Sequence, residues 1–343
     1  MRIPWELHMP IDLNSIADQI AVRISDYREG EITRPDRAHV LRWVNQFDTE
    51  VREALLIEAN HFLSRMYVQK SAVLKFVKGL VQNPKLSGGT PKEFWSSVGF
   101  LSLQTRSQSQ RDMLDLLSGI LSKEYGIQVG RRASNNSQYI YIDDAIFSGH
   151  QVKGDLEKWV KGSEASDCTV HIIVIGFHKS GQWYADRELR KIASGRRINF
   201  KWWRIAEIED WKKPENVNSV DVLWPMSLPD EKSVKHWLKS CPDDLKYFSP
   251  RPPGTQGNPA FASEAGRNVL EQQFLIKGAY IRSMCKDPSV TMRPLGFQSL
   301  RGPGFGTLFS TYRNCPNNAP LVLWWGLNQW HPLLPRRIRA TDW

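Results

Sequence analysis

The chain has 343 residues, 41% hydrophobic and 24% charged, with a formal net charge of +10; this is the composition of an ordinary soluble protein, long enough for about two domains with their own cores. The opening stretch MRIPWELHMPIDLNS holds no apolar run of signal-peptide length. The longest apolar run, Val170 to Phe177, is far too short to span a bilayer, which excludes a helical membrane protein and predicts a cytoplasmic one. The positive surplus attracts polyphosphates, small or polymeric, although no basic block is dense; the nearest are Arg196, Arg197, Lys201 and Arg204, and Arg336, Arg337 and Arg339. Cys168, Cys241, Cys285 and Cys315 form no Cys-x-x-Cys pair and have no histidine at zinc spacing, so free thiols are expected.

Residues 1 to about 90 read as a helical N-terminal module. Asp36 to Gln46, Thr49 to Met66 and Ser71 to Val81 each place apolar residues at helical spacing. Such a bundle serves either as a cap on the larger domain or as a helix-turn-helix-like module for a partner or nucleic acid, and the lack of a basic recognition face favours the cap. Pro84 to Thr90, PKLSGGT, is the best candidate boundary.

From about 91 to 210 strands alternate with helices, the pattern of a parallel sheet flanked by helices in an α/β fold. Val98 to Gln104 is the first strand and Gln108 to Tyr125 an amphipathic helix. Gly130 to Ser137 is a polar connection carrying Arg131 and Arg132. Tyr139 to Ile142 is a central strand that stops at Asp143 and Asp144, and a helical stretch begins at about Gln151. Cys168 to His178 is the third strand, Tyr184 to Ser194 a helix and Ile198 to Ile208 the fourth strand.

Residues 211 to 343 lack this alternation and are rich in proline and tryptophan. Ser249 to Phe261 reads as a loop, Ser263 to Met284 as a long helix, and Thr307 to Tyr312 and Leu321 to Trp325 as strands about a turn at Cys315 to Pro320. The segment is expected to complete the fold as a hood-like C-terminal extension. Trp324, Trp325 and Trp330 are either core residues or faces on which a base could stack; Asn317 and Asn318 are turn residues or line a site.

Chemistry concentrates in YIYIDDAIFSGHQ, Tyr139 to Gln151. Ligands of open α/β sheets bind beyond the carboxyl ends of the strands, where Asp143 and Asp144 are expected. Ser148 and Gly149 precede a helix, and a small hydroxyl with a glycine at a helix N-terminus offers backbone N–H groups to an anion. Carboxylates for vicinal hydroxyls beside an amide nest describe a sugar phosphate, although receiver-like and other doubly wound domains also end an apolar strand in two acids.

At these residues the segment resembles the phosphoribosyl pyrophosphate (PRPP) motif of type I phosphoribosyltransferases: an apolar strand, two acids, a short apolar stretch and a Thr/Ser-Gly loop. The resemblance implies a phosphoribosyltransferase-like core in which Asp143 and Asp144 hold the ribose hydroxyls. Ala145, Ile146, Phe147, Ser148, Gly149, His150 and Gln151 would then wrap the 5′-phosphate; Gln151 departs from the family, which usually has a second small hydroxyl there. The loop after the first strand, Gln104 to Ser109, would hold the pyrophosphate, with Arg106 as its cation, Thr105 beside it, and Ser107 or Ser109 as an N-cap. Mg²⁺ is implied as the ion bridging pyrophosphate and ribose oxygens.

The ending PNNAPLVLWW…W.PLLPRR is similar to phosphoribosyltransferase-like proteins of bacterial conflict and antiphage systems, including effectors carried by some retrons. That implies a toxin-like transferase acting on a nucleotide, nucleic acid or protein acceptor and held inactive in a complex. Its partners would be proteins of a defence operon and retron-type DNA or RNA. The alternatives are a non-catalytic regulatory subunit that senses a PRPP-like ligand, and a nucleic-acid-associated structural subunit.

Overall fold

The structure is a computed structural model that describes residues 12–104, 108–130, 137–254, 257–326 and 329–336. In chain order the helices and strands run α1 Leu13–Arg23, α2 Arg37–Val44, α3 Arg52–Met66, β1 Tyr67–Val68, α4 Lys70–Val81, α5 Pro84–Ser87, α6 Pro91–Ser97, β2 Gly99–Phe100, α7 Ser109–Tyr125 and β3 Gln138–Ile146. They continue as α8 His150–Gly162, β4 Cys168–His178, α9 Lys179–Ile192, β5 Ile198–Trp203, β6 Ala206–Ile208, α10 Lys232–Ser240, α11 Pro242–Lys246, α12 Glu264–Ser283, β7 Ser310–Thr311 and α13 Leu321–Trp324. Local signals set many of the ends. Asp12, Asp36 and Ser263 cap α1, α2 and α12 with side-chain oxygens, and Gly126 closes α7 in the left-handed region.

By packing, the chain divides into two units, residues 70–211 and residues 1–69 with 212–343. The Pro84–Thr90 stretch, read from its composition as a boundary, carries the short α5 inside the first of these units. That unit holds a parallel sheet of order β2-β3-β4-β5, with β6 also paired to β4. Its core gathers Tyr139 and Tyr141 from β3, Leu156 and Val160 from α8, Val170, Ile172 and Val174 from β4, and Ala185 and Leu189 from α9.

Three strands differ from the sequence reading. β3 does not stop at the acids: Asp143 pairs with Val174, Ala145 with Gly176 and Ile146 with Phe177, because β4 runs on beside it as an unbroken apolar strand. β2 is only two residues long. After Leu101, whose N–H still reaches the Ile140 carbonyl, the N–H groups of Leu103 and Gln104 turn to the side-chain oxygen of Gln110. The fourth strand is interrupted at Arg204 and Ile205, yet β5 and β6 keep one register on β4, with Ile173 opposite Trp203 and Gly176 opposite Ala206.

The second unit packs α1, α2 and α3 with α10, α12 and α13, and joins β1 to β7 in a short parallel pair. Neither α1 nor α10 stood out in the sequence. Leu321–Trp325, read as a strand, forms α13 instead. A short apolar run carries no period that separates strand from helix, and here Pro320 opens a turn in which the Trp325 N–H bonds the Leu321 carbonyl. Trp324 and Trp325 are wholly buried and Trp330 nearly so, which leaves none of their faces for a base. The indole N–H groups of Trp43 and Trp330 both donate to the Val322 carbonyl at 3.0 Å.

Candidate functional site

β3 lies between β2 and β4, but β2 pairs only with Tyr139 and Ile140, so the C-terminal part of β3 that carries the acids pairs with β4 alone. Asp143 is 6% exposed. One of its oxygens accepts the Asp144 N–H at 2.8 Å; the other accepts Gln104 Nε2 at 2.6 Å. Burial, with the Asp144 charge beside it, pushes the Asp143 carboxyl up to about 6, against hydrogen bonds from Ser109 and Gln104 that favour its charged form. Asp144 is half-buried, and its Oδ1 accepts the Ala145 N–H at 2.7 Å.

The segment after the acids is shaped by two glycines. Gly149 caps α8 at φ 77°, a backbone that other residues reach only with strain, and no side chain caps this helix. The first N–H groups of α8 therefore have no intrahelical acceptor, and they stand beside the exposed Ser148, His150 and Gln151. Beneath the loop lies Gly181, near the start of α9, where a β-carbon would overlap the Phe147 carbonyl. The buried His178 ring bonds the Ile146 carbonyl at 3.2 Å, and burial lowers its pKa to about 4, so it is neutral there. Asp210 caps α9 through the N–H and hydroxyl of Ser180. Ala145 to Gln151 thus runs along a rigid seat and ends in an open helix start, a geometry suited to a phosphate group.

The loop after β2 comes to the same end of the sheet. Gln110, 1% exposed, clamps it through Leu103 N at 2.7 Å and Gln104 N at 2.9 Å, and among the described residues its own buried Nε2 has no partner. No side chain caps α7 at Gln108. Thr105, Arg106 and Ser107 lie outside the described residues, as do Arg131 and Arg132.

Sequence reasoning missed Tyr141, Asp155, Gln110 and Gly181. Their only signals were a tyrosine two residues before an acid, an acid inside an amphipathic helix, and a glycine early in α9. It also missed that Lys70, Lys75, Lys78, Lys85 and Lys92, all exposed, occupy a stretch without a single carboxylate. Among the described residues no group of three or more His, Cys, Asp or Glu could hold a metal ion, and no helix is long and apolar enough to cross a membrane. All four cysteines are free thiols.

A protein-family model described as PRTase-CE matches residues 40–336 of the chain. No curated protein matches it.

Proposed function

The chain belongs to the PRTase-CE family, which is phosphoribosyltransferase-like and associated with conflict systems, and on that premise we propose that its sheet binds PRPP and transfers the phosphoribosyl group. The observation that carries this reading is the succession of Asp143, Asp144, a loop seated on Gly181 and the uncapped start of α8. Asp143 and Asp144 accept hydrogen bonds from the ribose hydroxyls, and the backbone from Ala145 to Gln151 holds the 5′-phosphate. The acceptor's nucleophile forms a bond to carbon-1 as the bond from carbon-1 to pyrophosphate breaks and the pyrophosphate leaves with the electron pair. That path is oxocarbenium-like, so rate rests on orientation and on stabilising the departing anion. Arg106, with Thr105 and Ser107, is assigned to that anion.

Members of this class typically use PRPP with Mg²⁺. Among the described residues the adjacent carboxylates form no cage of three, so a magnesium ion would come with the ligand's own oxygens and is assigned to no residue of this chain. When bound, the ion offsets the charge of the leaving group.

In the cell we infer an effector of an antiphage system, acting in the cytoplasm on a nucleotide, nucleic acid or protein acceptor and restrained by proteins of its operon. The carboxylate-free stretch from Lys70 to Lys92 supports a polyanionic partner such as retron-type DNA or RNA. The test is calorimetric titration with PRPP and Mg²⁺ together with a pyrophosphate-release assay across candidate acceptors. Binding with turnover is expected. Binding without turnover for any acceptor assigns the site to sensing, and no binding overturns the reading.

A further inference from the structure

Behind Asp143 lies a polar cluster that the proposed ligand contacts do not use. Tyr141 precedes Asp143 by two residues on β3, so both side chains leave the same face of the strand. The Tyr141 hydroxyl donates to Asp155 Oδ2 at 3.0 Å, and it lies 3.5 Å from Asp143 Oδ2. Gln104 Nε2 spans the same pair, 3.0 Å from the hydroxyl and 2.6 Å from Asp143 Oδ2. A phenol has one proton to give and an amide nitrogen two. The bonds close with the phenol proton on Asp155 and the amide protons on the Tyr141 oxygen and on Asp143. The phenol and amide protons are then all used, and among the described residues Gln104 Oε1 is buried without a partner.

We propose that Tyr141 and Asp155 are positioning residues for Asp143: Asp155 holds the phenol, the phenol oxygen holds the Gln104 amide, and that amide fixes the Asp143 carboxylate against the loop after β2, so that the two carboxylates are linked through Tyr141 and Gln104 and titrate as a pair. The inference rests on the PRPP reading for its ligand but not for the cluster itself. Two carboxylates linked through one hydroxyl and one amide in a largely dry setting resist ionising together, so the protons leave in steps that belong to the pair. Burial raises both acids and pushes the Tyr141 phenol far above its ordinary value. The other groups that bear on the pair are Asp144 on β3, which opposes ionisation of Asp143, Lys158 on α8, which favours that of Asp155, and the Ser109 hydroxyl at the start of α7. The cluster thereby joins three elements, the loop after β2, the end of β3 and α8, through the acid that would meet the sugar.

The test is a carbon-13 carboxyl titration of the ligand-free full chain between about pH 4 and 8, with Asp143→Asn to assign the resonance. Wild type should show Asp143 and Asp155 titrating together. Asp155→Asn removes a like charge and should leave a single step at lower pH. Tyr141→Phe removes the donor to ionised Asp155 and should move that acid's step in the pair to higher pH. Opposite displacements are a signature that a merely structural role would not produce. The proposal is overturned if both variants, folded as judged by their amide spectra, leave the Asp143 titration where wild type has it. In a second arm, Tyr141→Phe should weaken binding of PRPP with Mg²⁺ by about five- to tenfold, the worth of one hydrogen bond. If wild type binds no PRPP at any pH, the ligand reading fails, and the titration alone still carries or sinks the cluster.

Discussion

Gly181 of α9 lies so close under Phe147 that a β-carbon on it would overlap the Phe147 carbonyl oxygen, and the atom in the way is backbone, which has no rotamer to escape into. Gly181→Ala should therefore lift the loop that precedes α8. The expected outcome is a stability loss of roughly 1–3 kcal/mol, as for other overpacked sites, with phosphosugar binding weakened at least as far. Thermal melts and calorimetry on the same preparation check both. A variant with wild-type affinity would mean that the seat of this loop does not matter to the ligand.

Asp143 supplies a pH signature. Its folded-state carboxyl is raised to about 6, above the ordinary aspartate value, so the form that stabilises the fold is the protonated one. That contribution is complete below the unfolded pKa and is lost as pH rises through about 6. The ligand-free protein should gain stability on the order of 1–3 kcal/mol between neutral pH and about pH 4 from this group, a gain that Asp143→Asn should lack. Urea midpoints across that window decide it. Identical pH profiles would show that Asp143 is not the titrating group.

Asp144 is the more exposed of the two acids, so its loss should be felt chiefly at the ligand. Asp144→Asn removes charge-assisted hydrogen bonds to ribose hydroxyls worth ~1.5–3 kcal/mol, about ten- to 150-fold in affinity, with little change in melting. Full activity in the double variant with Asp143→Asn would sink the assignment of both acids.

How far the sequence revealed this arrangement depended on whether a signal was contiguous. Cys168–His178 was read with its true ends because a mostly apolar, β-branched run is what a buried parallel strand looks like. The acids and the Ser148–Gly149 turn were legible for the same reason, since they follow one another along the chain. The end of β3 was not: carboxylates in a strand read as a stop, and only the contacts of Asp143 with Gln104 and the Asp144 N–H explain how the strand tolerates one and continues. Tyr141, Asp155 and Gln104 were invisible as a group because they meet across 14 and 37 residues of sequence. Periodicity does not encode which side chains a crossover helix brings over a strand.

In the unit built from residues 1–69 and 212–343, Glu271 is wholly buried and accepts the Trp224 N–H at 2.8 Å, Arg267 Nε at 3.0 Å and Arg251 Nη2 at 3.2 Å. Removing it takes the carboxylate from the buried Arg267, while Arg251 keeps Glu264 and the Trp224 carbonyl; breaking such a buried pair costs roughly 3–5 kcal/mol. Glu271→Ala should lower the denaturation midpoint by that amount. A loss under about 1 kcal/mol would mean that the network is hydrated in solution rather than dry.

The remaining prediction concerns partners, and it turns on charge rather than on fold. Lys70, Lys75, Lys78, Lys85 and Lys92 are exposed along α4, α5 and α6, and no Asp or Glu occurs between the first and the last of them. On α9, Arg187 and Lys191 each stand beside Glu188. A stretch without internal neutralisation is where a phosphate backbone gains most by displacing its counterions. Association with DNA or RNA at this surface should weaken steeply with salt, the logarithm of affinity falling with a slope of about 0.7 to 0.9 per phosphate contacted. An apolar protein interface would respond little over the same range. Lys75→Glu with Lys78→Glu should reduce both the affinity and that slope without touching the PRPP titration, because neither residue belongs to the sugar-phosphate loop. Co-purification of the full chain with its operon partners, followed by a salt titration of wild type and the double variant, provides the measurement. If nucleic acid stays bound at high salt, or the charge reversal leaves the slope unchanged, the contact lies elsewhere and the cationic stretch is a solvated face.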